Sequence, residues 1–382
     1  MIKLMKNTFF MASNVESQLS EMILHTNHLS MGPYTQKFET VFAKWHKRKH
    51  CIMVNSGSSA NLVLISSLLN LGRLKKGDRV AVSAVTWSTN VMPLIQLGLE
   101  PVLIDVNPND VNMSHGDLLS IIKSIDAVFL TNVLGLKNEV RAIANLCKIH
   151  SVQFFEDNCE SLGCYDDDEL FGNFGTASTC SSFVGHHLST IEGGYIFTDD
   201  DELAAMLKVV RAHGWTRNLS DEELKLLNFD LVDTFNQGYT FHSCGFNVRP
   251  TDISAFCGLL QIDKINYYNK IREKRFCQMA NSFKNFMYVP ETKNPVFAIA
   301  FRMESRLQRD TVIKFLNENQ IDNRPIISGS MGTQPFWAKQ YGRLEQENAV
   351  SVDNCGFYVS NDPQLTDAEF TYLKNKLKQI LL

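Results

Sequence analysis

Short apolar runs of strand length alternate with longer stretches of helical period along most of the chain. The runs are Cys51–Val54, Arg79–Ser83, Pro101–Ile104, Ala127–Leu130, Val152–Phe155, Ser178–Ser182 and Gly194–Thr198. Residues 13–48 read as amphipathic helix interrupted at Gly32-Pro33, and 58–69 suit a buried helix. Asn90–Leu97, Glu139–Ile149 and Asp200–His213 carry further helical patterns. Apolar strands separated by helices predict an α/β fold with a mainly parallel sheet covered on both faces. No Gly-x-Gly-x-x-Gly follows any of these strands, which argues against a dinucleotide-binding Rossmann fold. A polar, loop-like stretch covers 216–247, and a long helical pattern then runs from Asp252 to Phe286. Strand and helix alternate again at Phe297–Met303, Arg309–Asn319, Gly356–Ser360 and Asp367–Leu381. The expected organisation is a large lobe over 1–250, then a linker helix and a smaller C-terminal α+β lobe over 251–382.

The chain has 382 residues, 44% hydrophobic and 20% charged, enough to bury a large core. A net charge of −4 without a basic run argues against a nucleic-acid partner. No apolar run approaches the roughly 18 residues of a membrane span, and the N-terminus lacks the apolar block of a signal peptide. Nine cysteines, odd in number and scattered, read as reduced thiols of a cytoplasmic protein. The closest of them, Cys159 and Cys164, lack the second pair that a zinc or iron–sulfur site needs.

Residues 180–194 read Cys-Ser-Ser-Phe-Val-Gly-His-His-Leu-Ser-Thr-Ile-Glu-Gly-Gly. This resembles the cofactor-lysine segment of the DegT/DnrJ/EryC1/StrS sugar aminotransferases, which use pyridoxal phosphate on an aspartate-aminotransferase-like fold (fold type I). In that family a Ser precedes the lysine by five positions and Glu-Gly-Gly begins six after it. Ser181 and Glu192 keep this spacing, and the residue between them is His186. No Lys or Arg occurs from Ile149 to Leu207. An imidazole can move protons near neutral pH, but it cannot form a covalent link with the cofactor aldehyde.

Further residues carry the resemblance. Asn55-Ser56-Gly57-Ser58-Ser59-Ala60, between an apolar run and a helix, is similar to the family's Ser-Gly-Thr-x-Ala turn. Such a turn offers helix N–H groups to a phosphate, although a Ser there also serves as a plain helix cap. Trp87, just past a strand end, corresponds to the aromatic that stacks on the cofactor ring; core packing is the other reading. Asp157, after Val152–Phe155, matches the carboxylate that keeps the pyridine nitrogen protonated, or it caps a turn. Glu160 stands where the family has Gln near the cofactor's phenolic oxygen. Ser181 matches a phosphate donor. Asn247, in Gly-Phe-Asn-Val-Arg-Pro, matches a residue that reaches the phosphate of the neighbouring subunit, which implies a homodimer with shared active sites.

Within the family, His for Lys resembles the sugar 3-dehydratases. One subclass acts on CDP-sugars with an iron–sulfur cluster, and its clustered cysteines are absent here. The other acts on GDP-4-keto-6-deoxy sugars and has a segment like Arg211–Asn218. The implied activity is removal of the C3 hydroxyl from such a sugar, a hexose of mannose type or a heptose, by the pyridoxamine form of the cofactor. His186 would be the acid–base group, L-glutamate would restore the amine and ammonia would be released. His213, Trp215, Arg217 and Arg324 are candidates for contacting the GDP-sugar. Three alternatives stand beside this: a 4-aminotransferase using a non-lysine base, a non-catalytic cofactor-binding protein, and a metal hydrolase centred on His186-His187. Adjacent histidines are poorly arranged for one metal, so no metal is expected.

Overall fold

The computed structural model describes residues 1–229, 233, 235–289 and 291–382. The apolar runs become β1 (His50–Val54), β2 (Arg79–Ser83), β3 (Glu100–Ile104), β4 (Ala127–Thr131), β5 (Gln153–Asp157), β8 (Ala177–Ser181) and β9 (Gly194–Thr198); β6 (Tyr165–Asp166) and β7 (Glu169–Leu170) make a small hairpin. Seven of these strands form one sheet in the order β1-β9-β8-β5-β4-β2-β3. Neighbours from β8 to β3 pair in parallel, while β9 runs antiparallel to both β8 and β1. The parallel strands therefore deliver Ser83, Thr131, Asp157 and Ser181 to one edge of the sheet, the edge where open α/β folds place their ligands.

A second sheet, order β10-β12-β11, is built from β10 (Ala298–Arg302), β11 (Asn323–Arg324) and β12 (Gly356–Ser360). The chain's first residues lie along it. Ile2 donates to Gln320 O and its carbonyl accepts from Asp322 N, while Ser360 Oγ donates to Leu4 O. One apolar cluster continues through both sheets, with Ile52, Val82 and Phe129 in the same body as Phe301, Phe357 and Leu373.

Three elements depart from expectation. The long helix over 252–286 is two helices, Asp252–Leu259 and Ile265–Phe283. At the break, the buried Gln261 amide donates to Ser189 O (2.7 Å) and Cys257 O (2.8 Å) and accepts from Phe10 N (3.1 Å). These long-range bonds hold the chain out of helical register, which no local pattern reveals. Second, the polar stretch 216–247 contains a helix, Asp221–Leu226, closed by a capping box between Ser220 and Glu223. Positions 230–232 and 234 of that stretch lie outside the described residues. Third, helices Pro335–Tyr341 and Glu347–Cys355 occupy a region where no element is expected. The break at Gly32-Pro33 is a helix start, capped from afar. Buried Asp252 accepts from Gly32 N (2.7 Å), Thr35 N (3.0 Å) and Thr35 Oγ1 (2.6 Å).

Candidate active site

A cavity of about 580 Å³ opens where the C-terminal ends of the parallel strands face the small sheet. Its floor begins at the turn after β1. Ser56 caps helix Gly57–Asn70 by accepting from Ser59 N (3.1 Å), so the cap reading holds for Ser56. Gly57 and Ser58 follow in the first turn, and both line the cavity with N–H groups that have no partner among the described residues. Glycine is required at 57 by close approach: a Cβ there would lie 2.7 Å from Ser181 Cβ and 3.1 Å from Cys159 Sγ. Ser181, nearly buried, adds its hydroxyl to the same corner. This is a compact anion cradle of helix N–H groups and hydroxyls.

Asp157 closes β5 and is 4% exposed. Its Oδ2 accepts from Asn90 Nδ2 (2.7 Å) and Asn61 Nδ2 (3.0 Å), and its Oδ1 accepts from Cys159 N (2.9 Å). Thr179 Oγ1 donates to Asn61 Oδ1 (2.6 Å) and fixes that amide's orientation. Three donors thus fix the carboxylate in the cavity lining. Asn61 and Asn90 escaped the sequence reading, because nothing in their local pattern distinguishes them from ordinary helix residues.

Trp87, which precedes helix Ser88–Gln96, lines the cavity with 54% of its surface exposed. That favours a ring offered to a flat ligand over core packing. Glu160 lines the opposite side, its Oε2 accepting from Leu134 N (3.0 Å). Burial, with the Asp157 charge nearby, pushes its carboxyl up to about 7.

His186 lines the cavity on the loop between β8 and β9, where its own N–H donates to Phe183 O (2.8 Å). Its ring stands edge-on to Phe183 (6.1 Å) and Phe297 (5.6 Å). Burial lowers its pKa to about 4, so the ring is the free base at neutral pH. His187 is oriented differently. It is fully packed, its Nε2 lies 2.8 Å from Pro295 O, and it is pinned to the small-sheet side as a donor. Among the described residues, no three His, Cys, Asp or Glu side chains gather as a metal ion would require.

Of the substrate candidates, Arg324 lines the cavity. His213, Trp215 and Arg217, together with Asn247, do not. They form a separate cluster in which the Arg217 guanidinium lies 3.7 Å above Trp215, His213 stands 5.0 Å edge-on to the same ring, and Asn247 accepts from Arg249 Nε (3.0 Å). The chain's own cavity therefore lacks these four residues. In contrast, residues unsuspected from sequence do line it: Lys3 and Asn7 of the N-terminal segment, and Arg272.

The architecture is that of the sugar aminotransferase-like proteins. The family model for the DegT/DnrJ/EryC1/StrS aminotransferases matches residues 12–378, and the chain belongs to that family. It is 33% identical to the GDP-4-keto-6-deoxy-D-mannose 3-dehydratase of Escherichia coli O55:H7, with 96% of this chain and 97% of that protein covered. A crystal structure of the Escherichia coli GDP-4-keto-6-deoxy-D-mannose-3-dehydratase with bound hydrated PLP superposes with a TM-score of 0.91 at 32% identity, covering 99% of each chain. A histidine-to-asparagine variant of GDP-4-keto-6-deoxymannose-3-dehydratase, solved with bound GDP-perosamine, gives a TM-score of 0.90 at 31% identity over 99% of this chain and all of that one. Among the described residues, no helix is long and apolar enough to cross a membrane.

Proposed function

We propose that this protein is a pyridoxal/pyridoxamine phosphate-dependent 3-dehydratase that removes the C3 hydroxyl of a GDP-4-keto-6-deoxy sugar of mannose type. L-Glutamate serves as amino donor, and the product enters 3,6-dideoxy sugar synthesis in the cytoplasm. The observation that carries the reading is His186: an imidazole stands at the chain position that the family's spacing gives to its lysine, and it lines the cavity that Ser181 and Asp157 also line.

The residues present fit the cofactor. Its phosphate suits Gly57, Ser58 and Ser181, where Gly57 leaves no room for a side chain. Its ring nitrogen suits Asp157, and its flat face suits Trp87. Glu160 suits the phenolic oxygen as a carboxyl that gains or loses a proton near neutrality. When bound in its amine form, the cofactor supplies an amine for the C4 ketone and a ring that accepts electrons.

The chain's own part is proton traffic and positioning. Asp157, held by Asn61 and Asn90, maintains the charge on the ring nitrogen. His186 would move the proton at the cofactor's C4′, and the same ring, once protonated, or another acid of the cavity would return one to the departing 3-hydroxyl oxygen. A lysine in this place would tether the cofactor covalently and divert the reaction toward an amino sugar; an imidazole leaves elimination as the outcome. His213, Trp215, Arg217 and Asn247 serve the site of a second copy in a homodimer. Their absence from their own cavity supports this, as does exposed Phe183 in its lining. The two lobes, 1–250 and 251–382, close on the substrate between them, with Arg324 toward the nucleotide.

Product analysis tests the proposal. Incubation with GDP-4-keto-6-deoxymannose, pyridoxal phosphate and glutamate should yield ammonia and a 3-deoxy sugar nucleotide by NMR and mass spectrometry. An amino sugar retaining its 3-hydroxyl would refute it.

A further inference from the structure

Arg272 is a buried cation without a matching anion. It sits on helix Ile265–Phe283, is 5% exposed and lines the cavity. Its Nη1 donates to Phe297 O (2.9 Å) and Asn361 O (3.0 Å). Among the described residues, no carboxylate lies within ion-pair distance of it, and its Nε and Nη2 have no protein acceptor. The nearest acidic influence, Asp362, already accepts from Lys6 N and Gln364 N. Burial pushes the guanidinium's pKa down to about 10, a mark of lost solvation.

Arg275, one turn further along the same helix, provides an internal comparison. It is equally buried but lies outside the cavity, and it uses two nitrogens structurally, Nη1 to Asp362 O and Nη2 to Leu365 O. A guanidinium needed only to tie carbonyls together looks like Arg275. Arg272 ties carbonyls with one nitrogen and leaves the rest of a planar fork free in the cavity lining, close enough that its charge adds to burial, the main cause, in lowering the pKa of His186 and His187. A buried charge without a counter-ion is costly, and the fork's geometry suits an oxyanion.

We infer that Arg272 is the carboxylate-binding residue for the amino donor. It would receive a carboxylate of glutamate beside His186, while exposed Arg324 near the mouth is left for the nucleotide's phosphates. This rests on the proposed function and deepens it, by naming how one site accepts two chemically different substrates in turn.

The test uses three variants of the full chain: Arg272→Gln, Arg272→Lys and, as structural control, Arg275→Gln. Calorimetry measures binding of glutarate, a non-reacting dicarboxylate, and of GDP. Absorption of the cofactor-loaded protein follows the glutamate half-reaction. Arg272→Gln should weaken glutarate binding and raise half-saturating glutamate by about 10- to 100-fold, the worth of a lost charge-assisted pair. Arg272→Lys should fall between, and Arg275→Gln should lower the melting temperature without moving either value. GDP affinity should stay within twofold throughout. Unchanged glutarate binding in Arg272→Gln would overturn the inference, and so would a loss confined to GDP, which would mark the residue as a phosphate binder. If the unmodified holoprotein does not respond to glutamate at all, it is the functional proposal that fails.

Discussion

Removing the Asn90 amide should weaken the cofactor site through Asp157. Asn90 Nδ2 donates to Asp157 Oδ2 at 2.7 Å, and Asn90 Oδ1 has no partner. Asn90→Ala therefore deletes one hydrogen bond to a carboxylate and strands no other protein group. A bond to a charged acceptor is worth about 1.5–3 kcal/mol. Asn61 and the Cys159 amide remain, so the lower half of that range applies, about 1.5–2 kcal/mol. If that energy reaches the cofactor, its dissociation constant should rise about 10- to 30-fold. The assay is fluorescence titration of the cofactor-free protein with pyridoxal phosphate, repeated in Asp157→Asn and in the double variant. Because Asn90 acts only by holding Asp157, its effect should largely vanish once the carboxylate is gone. Full additivity in the double variant, or a change below twofold in the single one, would refute the reasoning.

Other outcomes follow from the same geometry. His186→Lys should form an adduct trapped by borohydride and located at position 186 by peptide mass mapping, with 3-deoxy product lost; the unmodified protein should give none, and an adduct on Lys3, which also lines the cavity, would contradict the tether-free site. Glu160 changes charge near pH 7, protonated below and ionised above, so Glu160→Gln should remove a titration near that value from the absorption of the bound cofactor. Gly57→Ala should drive a Cβ against Ser181 and cost about 5- to 150-fold in cofactor affinity by the same titration, since overpacking typically costs about 1–3 kcal/mol. Acid stability should depend on His46, which burial holds down to about 3 while it stacks on Phe197 at 4.1 Å. Its native pKa lies below the unfolded value of about 6.5, so its contribution is present above pH 6.5 and lost on the way down toward pH 3. Relative to His46→Asn, urea unfolding should show an excess loss of up to ~5 kcal/mol across that window.

What could be read from sequence was what the chain encodes locally. Strand runs such as Ala127–Leu130 and Gly194–Thr198, and cradle residues such as Gly57 and Ser181, announce themselves through neighbours a few positions away. Asp252 and Gln261 do not: each looks like an ordinary helix residue, yet one caps a helix 220 residues upstream and the other breaks its own helix to hold Ser189 and Phe10. Asn90 and Arg272 belong to the same kind, since their roles exist only once β5 and the small sheet are in place. The four misplaced candidates illuminate the matter from the other side. The pattern singles out His213, Trp215, Arg217 and Asn247, but a pattern does not say which cavity a residue lines, and none of the four lines the chain's own. Within one chain they cluster around the half-buried Trp215, with the Arg217 guanidinium stacked on its ring and Arg249 beside it. If the proposed dimer sets this cluster over a second copy's cavity, candidates that lie outside the chain's own cavity and the exposed Trp87 inside it share one explanation.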